Sequence, residues 1–213
     1  MLIFRVLGST PYVEKNGDFQ IQMKNIEWTI KTALKYKLHL DFHIDYNLDP
    51  NRKSAIIQAL DLLHDLNWPT NSDFRTIVFG HCTRLTLFKE NEWHDLRKKL
   101  GSLPASFIGL PTSDLFMMGR PSENSGGGQR ERGTLQIPQM IQKYGLDAAI
   151  GINNVGNAFT PQGSCDPLSL ASFGVGVYQA GTKAEAELML VSSFPLAHAR
   201  ERTMLNSSAM HNK

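Results

Sequence analysis

The amino-acid sequence predicts an α/β fold with about five parallel strands that alternate with helices. Apolar runs of strand length alternate along the chain with segments whose apolar residues recur at the helical period. The connections that follow the strands are long, and those that follow the helices are short. Repeated strand–helix units of this kind give parallel strands joined by right-handed crossovers. Both an open, doubly wound sheet and part of a (β/α)8 barrel satisfy this pattern.

Each predicted strand is an apolar or alternating run, and each predicted helix has apolar residues three or four positions apart. The predicted strands cover residues 2–7, 38–43, 75–80, 105–109 and 147–152. The predicted helices cover residues 25–37, 54–66, 92–100, 134–144, 168–180 and 183–191. We assign residues 1–205 to one domain and residues 206–213 to a flexible C-terminal tail.

Composition excludes several classes of protein. The 213 residues include 22 basic and 20 acidic side chains, and a net charge of +2 is too small to predict a nucleic-acid partner. No run approaches the roughly 18 apolar residues of a membrane span, so no membrane partner is expected. The hydrophobic fraction of 41% predicts a packed core. Two cysteines cannot form a disulfide framework, which favours a reducing, cytoplasmic setting.

Candidate functional residues lie where the predicted strands end, because parallel architectures collect their sites there. Side chains alternate along a strand, so His43 and Asp45 are predicted to face inward from the second strand. The same alternation puts Phe79 and His81 on the inward face of the third strand and Asn153 beyond the fifth. Two imidazoles at neighbouring strand ends suit a divalent metal, although a metal site usually has three protein ligands. The alternative is that each is a hydrogen-bonded core histidine.

Three short motifs stand at the ends of predicted strands: residues 40–45 (LDFHID), 78–83 (VFGHCT) and 150–155 (IGINNV). In order and spacing they are similar to motifs of the amidohydrolase superfamily, and most nearly to its barrel-type cytosine deaminases. Residues 110–115 (LPTSDL) also resemble the segment after that family's seventh strand. The resemblance extends from about residue 5 to about residue 195.

The resemblance implies a partial (β/α)8 TIM-type barrel in which zinc or iron activates water to hydrolyse a C–N bond in a small cyclic amide or amidine. In the family, a His-x-His pair on the first strand, a histidine on the fifth and an aspartate on the eighth hold the metal. This sequence contains no His-x-His pair. The resemblance places its start near the fourth strand, so the N-terminal strands are expected to be missing.

Carried over by position, the resemblance assigns a role to each of five residues. His43 corresponds to the fifth-strand metal ligand, and His81 to the catalytic histidine of the sixth strand. Asn153 stands in the catalytic position of the eighth-strand aspartate, and Asn154 in that of its acidic neighbour. Tyr46 replaces a glutamate. Tyr46 and Asn154 are therefore candidate substrate contacts.

An amide such as that of Asn153 cannot take a proton from water, so hydrolysis would need another base. Asp45, inward by alternation, is assigned a catalytic role, and Asp114 is a further candidate assigned to substrate binding. Two functions follow: a C–N hydrolase acting on a small molecule, or a catalytically degenerate homologue that binds a ligand or partner. An open nucleotide-binding sheet is a weaker reading, because residues 8–11 (GSTP) are a poor phosphate-binding turn. The open edges of an incomplete barrel also predict a homo-oligomer.

Overall fold

The five strands of the sheet lie side by side in the order in which they occur in the chain. The computed structural model describes residues 5–70, 75–120 and 131–194. Its strands are β1 (Val6–Ser9), β2 (His39–Ile44), β3 (Ile77–His81), β4 (Ala105–Gly109) and β5 (Ala148–Ile150). All neighbours are parallel, and the order in the sheet is the order in the chain. A doubly wound sheet reverses its order at a switch point, whereas a barrel does not. The prediction of a partial TIM-type barrel is therefore confirmed.

Helices connect the strands. They are α1 (Phe19–Tyr36), α2 (Ala55–Asp65), α3 (Glu90–Leu100), α4 (Pro111–Met117), α5 (Ile137–Gln142), α6 (Pro167–Val177) and α7 (Lys183–Ser193). Helix α1 begins before the predicted residue 25, because the Asp18 carboxylate caps it by accepting a hydrogen bond from the Ile21 N–H at 2.9 Å. Helix α4 was not predicted. It begins at Pro111, whose fixed φ suits the first turn of a helix.

Strand β2 alternates between two environments, as its sequence predicts. One set of side chains is buried in the core that the helices cover: Leu40, Phe42 and Ile44. The other set is half-buried on the inner face: His39, Asp41 and His43. The buried set continues into a row of aromatic rings, with centroids 5.9 Å apart for Phe42 and Phe79 and 5.7 Å apart for Phe79 and Phe107. The strand register places these rings side by side.

Strand β3 is turned the other way from the prediction. Ile77 and Phe79 lie in the helix-covered core and do not face inward. Val78 and Gly80 line the inner cavity instead. The prediction assumes that Phe79 and His81 share one face of the strand. The left-handed backbone of His81 (φ 63°) breaks that alternation.

The inner faces of the strands surround an open cavity of about 670 Å³, here called the lumen. In the described part of the chain, β1 pairs only with β2, and β5 pairs only with β4. Among the described residues, no strand pairs with the outer edge of β1. Val6, on the β1 edge, is 51% exposed.

Two further predictions concern the ends of the chain and membranes. The predicted flexible tail, residues 206–213, lies outside the described residues, as do residues 195–205 of the predicted domain. Within the described ranges, no helix has both the length and the apolar character needed to span a bilayer.

Candidate functional site

Three of the predicted site residues meet at one end of the sheet. His43 lies near the end of β2, His81 ends β3, and Asn153 follows β5. Parallel strands end at the same side of a sheet, so these residues approach one another. The ring centroids of His43 and His81 are 5.0 Å apart, and both His43 and Asn153 line the lumen. This end of the lumen, here called the lumen mouth, is the candidate site.

His81 reaches the lumen mouth through an unusual backbone conformation. Its register partner on β2 is Ile44, which faces the core, so regular alternation would bury His81 under the helices. The left-handed φ of 63° turns it instead towards the lumen mouth. There its ring lies 4.4 Å from that of Tyr46 and 6.2 Å from that of Tyr12, measured between centroids. Only 2% of His81 is exposed.

Asp114 holds the other side of the His81 ring. The Nδ1 atom of His81 lies 2.7 Å from Oδ1 of Asp114, and the Thr134 hydroxyl donates a 2.7 Å hydrogen bond to Oδ2. Asp114 lies in the first turn of α4 and is fully buried. Burial raises the pKa of its carboxyl, and the hydrogen bonds from His81 and Thr134 offset part of that rise. The predicted substrate contact is thus a buried anchor for His81.

His43 differs from His81 in that neither of its ring nitrogens is hydrogen-bonded within the described part of the chain. It is half-buried. Burial lowers the pKa of His43, and the neighbouring His81 lowers it further. The imidazole is therefore uncharged at neutral pH and presents a lone pair to the lumen.

Asp45 lies outside this cluster, contrary to the prediction from alternation. Its backbone is left-handed (φ 53°), and its carboxylate accepts hydrogen bonds from the Ser54 hydroxyl at 2.6 Å and from two backbone N–H groups of α2. Those donors are Ala55 at 2.7 Å and Ile56 at 3.2 Å. Burial raises the pKa of the carboxyl against the effect of these donors. Asp45 therefore caps helix α2, outside the cluster of His43 and His81.

Two tyrosines pack around His81 and line a pocket next to the lumen. The rings of Tyr12 and Tyr46 are 5.4 Å apart between centroids. The hydroxyl of Tyr46 is buried and has no hydrogen-bond partner among the described residues. Burial, and then the nearby Asp114, raise the pKa of Tyr46 far above its ordinary value, so the phenol keeps its proton. A buried, unpaired hydroxyl is a donor that a ligand can satisfy.

The two asparagines are held by neighbouring side chains. The Asn153 amide donates a hydrogen bond of 3.3 Å to the hydroxyl of Ser113, the residue before Asp114 in α4. The side-chain oxygen of Asn154 accepts a hydrogen bond of 2.9 Å from Asn157. Helix α4 therefore contacts side chains from both β3 and the segment after β5.

Solved structures of known enzymes share this fold. The chain aligns with 5-methylcytosine deaminase from Klebsiella pneumoniae, liganded with 5-fluorocytosine or with phosphonocytosine, at a TM-score of 0.72 and 16% identity. It aligns with N-isopropylammelide isopropylaminohydrolase from Burkholderia multivorans at a TM-score of 0.63 and 19% identity. These alignments cover 92%, 93% and 92% of this chain. Both enzymes are members of the amidohydrolase superfamily. The chain has the amidohydrolase fold.

The amidohydrolase resemblance predicted from the motifs is thus confirmed at the level of the fold. The chain spans 44%, 45% and 43% of the matched chains, which is less than half their length. No family model matches the sequence, and no curated protein matches it.

Proteins with the amidohydrolase fold generally depend on a divalent metal, so the donor set at the lumen mouth is informative. Among residues 5–70, 75–120 and 131–194, no group of three or more His, Cys, Asp or Glu side chains is placed to hold a metal ion. His43 offers a free imidazole, but the Nδ1 of His81 is bound to Asp114, and Asn153 offers only an amide. Since zinc sites take at least three protein ligands, the described residues do not fit the metal that the fold implies.

Three residues of the site are not predicted from the sequence: Tyr12, Ser113 and Thr134. Tyr12 lies in a short 3-10 helix (Pro11–Gly17) just beyond β1, and its position after a strand was the available signal. Ser113 precedes the predicted Asp114 in a segment not predicted to be helical. Thr134 is 20 residues from Asp114, and no local pattern links the two.

Proposed function

We propose that the chain belongs to a hydrolase that acts on non-peptide C–N bonds of small cyclic amides or amidines, with the ligand bound at the lumen mouth. The supporting observation is the cluster of His43, His81 and Asp114 at the C-terminal ends of strands in an amidohydrolase fold. The matched enzymes act on small molecules, and one is liganded with cytosine analogues.

The residues of the lumen mouth suit this chemistry. Hydrolysis of a C–N bond adds the oxygen of water to the carbon and releases an amine, so a proton must pass from water to the departing nitrogen. The imidazole of His81 can accept and return that proton, while the protonated phenol of Tyr46 donates a hydrogen bond to the ligand. The uncharged His43 accepts a hydrogen bond from the ligand, and Asn153 and Asn154 supply amide contacts around it.

A second candidate function is ligand binding without turnover. It is favoured by Asn153, whose amide takes the place of a carboxylate and is held by Ser113. The absence of a third metal donor among the described residues favours it as well. A degenerate site of this kind keeps the shape of the lumen mouth and loses the means to activate water.

Fluorine NMR of 5-fluorocytosine, with zinc added, separates these functions in one sample. Broadening of the ligand resonance reports binding, and a new resonance reports deamination. We expect binding that weakens in His43→Gln and is retained in the control His94→Gln, whose side chain is exposed on α3. Turnover lost in His81→Gln supports the hydrolase, and binding without turnover supports the second function. If the sample shows no binding and no turnover, both functions are contradicted.

We also propose that copies of the chain associate in a reducing, cytoplasmic compartment. Among the described residues no strand pairs with the outer edge of β1, which favours pairing with another strand. The two cysteines are unpaired: Cys82 is buried and Cys165 is exposed. Exposed thiols persist most readily where the surroundings are reducing.

A further inference from the structure

We propose that Asp114, held by Thr134, is a positioning residue that fixes His81 in the tautomer with its proton on Nδ1. His81 then presents the lone pair of Nε2 at the lumen mouth. The catalytic use of that lone pair depends on the proposed function, but the tautomer itself does not.

The hydrogen bonds around Asp114 set the direction of donation. The hydrogen bonds from His81 and Thr134 favour the ionised form of Asp114, in which the carboxylate only accepts. The Nδ1 of His81, 2.7 Å from Oδ1, then carries the proton. The second oxygen is occupied by the Thr134 hydroxyl, also at 2.7 Å. With both oxygens engaged, the carboxylate plane is fixed, and with it the plane of the imidazole.

Burial strengthens the preference of His81 for one tautomer. Asp114 is 0% exposed, and His81 and Thr134 are each 2% exposed, so water does not compete for these hydrogen bonds. Free histidine favours the tautomer with the proton on Nε2. A buried carboxylate at Nδ1 reverses that preference, because the other tautomer would leave the lone pair of Nδ1 facing a negative charge.

The free side of the ring is where a ligand can act. The Nε2 atom of His81 has no hydrogen bond to the described residues, while the rings of Tyr46 and His43 pack against the same imidazole. An unprotonated Nε2 accepts a proton or a hydrogen bond, whereas the other tautomer would donate one. Asp114 and Thr134 therefore decide whether His81 acts as an acceptor at the lumen mouth.

The tautomer can be read directly by long-range nitrogen–proton NMR of the labelled full chain. The His81 signals are assigned by their loss in His81→Gln. We expect the Nδ1–H pattern in the wild type and its loss in Asp114→Ala. The matched control is Ser113→Ala, one residue away on α4, which leaves the Asp114 hydrogen bonds intact and should keep the wild-type pattern.

Thr134 provides a milder variant in case Asp114→Ala fails to fold. Thr134→Val, close in shape, should give mixed tautomer signals, and Thr134→Ser should restore the Nδ1–H pattern. A wild-type spectrum with the proton on Nε2 would overturn the proposal, and so would an unchanged pattern in both Asp114→Ala and Thr134→Val. Absence of 5-fluorocytosine binding and turnover would contradict the proposed function alone, since the tautomer is measured without ligand.

Discussion

Asp45 and His81 stand at the ends of neighbouring strands in the same left-handed conformation, with φ of 53° and 63°, yet their side chains leave in opposite directions. Asp45 turns outward to cap α2, and His81 turns towards the lumen mouth. Regular alternation would have done the reverse in both cases. The backbone torsions of Asp45 and His81 therefore determine that the carboxylate caps α2 and that the imidazole lies at the lumen mouth.

The role of Asp45 as a cap predicts a loss of stability without a special effect on ligand binding. Asp45→Ala leaves the Ser54 hydroxyl and two N–H groups of α2 without their acceptor. We expect the free energy of unfolding to fall by about 1–3 kcal/mol in urea titrations. The control is Asp49→Ala, a half-buried carboxylate in the same loop, for which we expect a smaller loss. A stable Asp45→Ala that has lost ligand binding would contradict the assignment.

Asp45 should also leave a signature in the pH dependence of stability. Burial raises the pKa of its carboxyl above the ordinary 3.8. The folded state then binds the proton more tightly than the unfolded chain, so the contribution of Asp45 is complete below pH 3.8 and is lost as the pH rises through the folded pKa. The measurement is the difference in free energy of unfolding between wild type and Asp45→Asn, followed from about pH 4 to pH 8. This difference should decrease as the pH rises. An increase would show that the hydrogen bonds to Asp45 lower its pKa by more than burial raises it.

The donor set at the lumen mouth predicts weak metal binding. Elemental analysis of the purified chain should find well under one equivalent of zinc or iron, because the described residues supply fewer than three ligands. Asn153→Asp adds a carboxylate to the lumen that His43 also lines, and should tighten zinc binding in competition with a chromophoric chelator. Asn157→Asp, at an exposed position, is the control. Stoichiometric metal in the wild type that is lost in His43→Ala would show this prediction wrong.

The open β1 edge predicts self-association. Sedimentation of the wild type should give an average mass that rises with concentration. Val6→Lys places a charge on the edge and should lower that mass, while Val13→Lys, on an exposed residue outside the strands, should not. A clean monomer at all concentrations would count against pairing through this edge.

Much of the fold could be predicted because its signals are local. The alternation in β2 follows from leucine, phenylalanine and isoleucine interleaved with polar residues, and the repeated strand–helix order implies parallel strands. The choice between a barrel and a doubly wound sheet needed either the family motifs or the observed strand order. Helix α4 is not predicted, because its seven residues are too few to show a helical period.

The site was less predictable, because its contacts join distant parts of the chain. His43 and Asn153 follow from strand alternation alone. Strand alternation predicts that His81 faces inward, but β3 does not follow the predicted alternation. The inward position of His81 is due to its left-handed φ. The hydrogen bonds from His81 and Thr134 to Asp114 span 33 and 20 residues, and no spacing rule predicts them.

The placement of the site is tested most directly by finding which histidines of the wild-type chain respond to 5-fluorocytosine. Long-range nitrogen–proton NMR reports each imidazole, and the ligand is added in steps. We expect the ring resonances of His43 and His81 to shift together, while those of His64 and His94, exposed on α2 and α3, stay unchanged. Shifts at His64 or His94 with none at His43 and His81 would contradict the placement of the site at the lumen mouth.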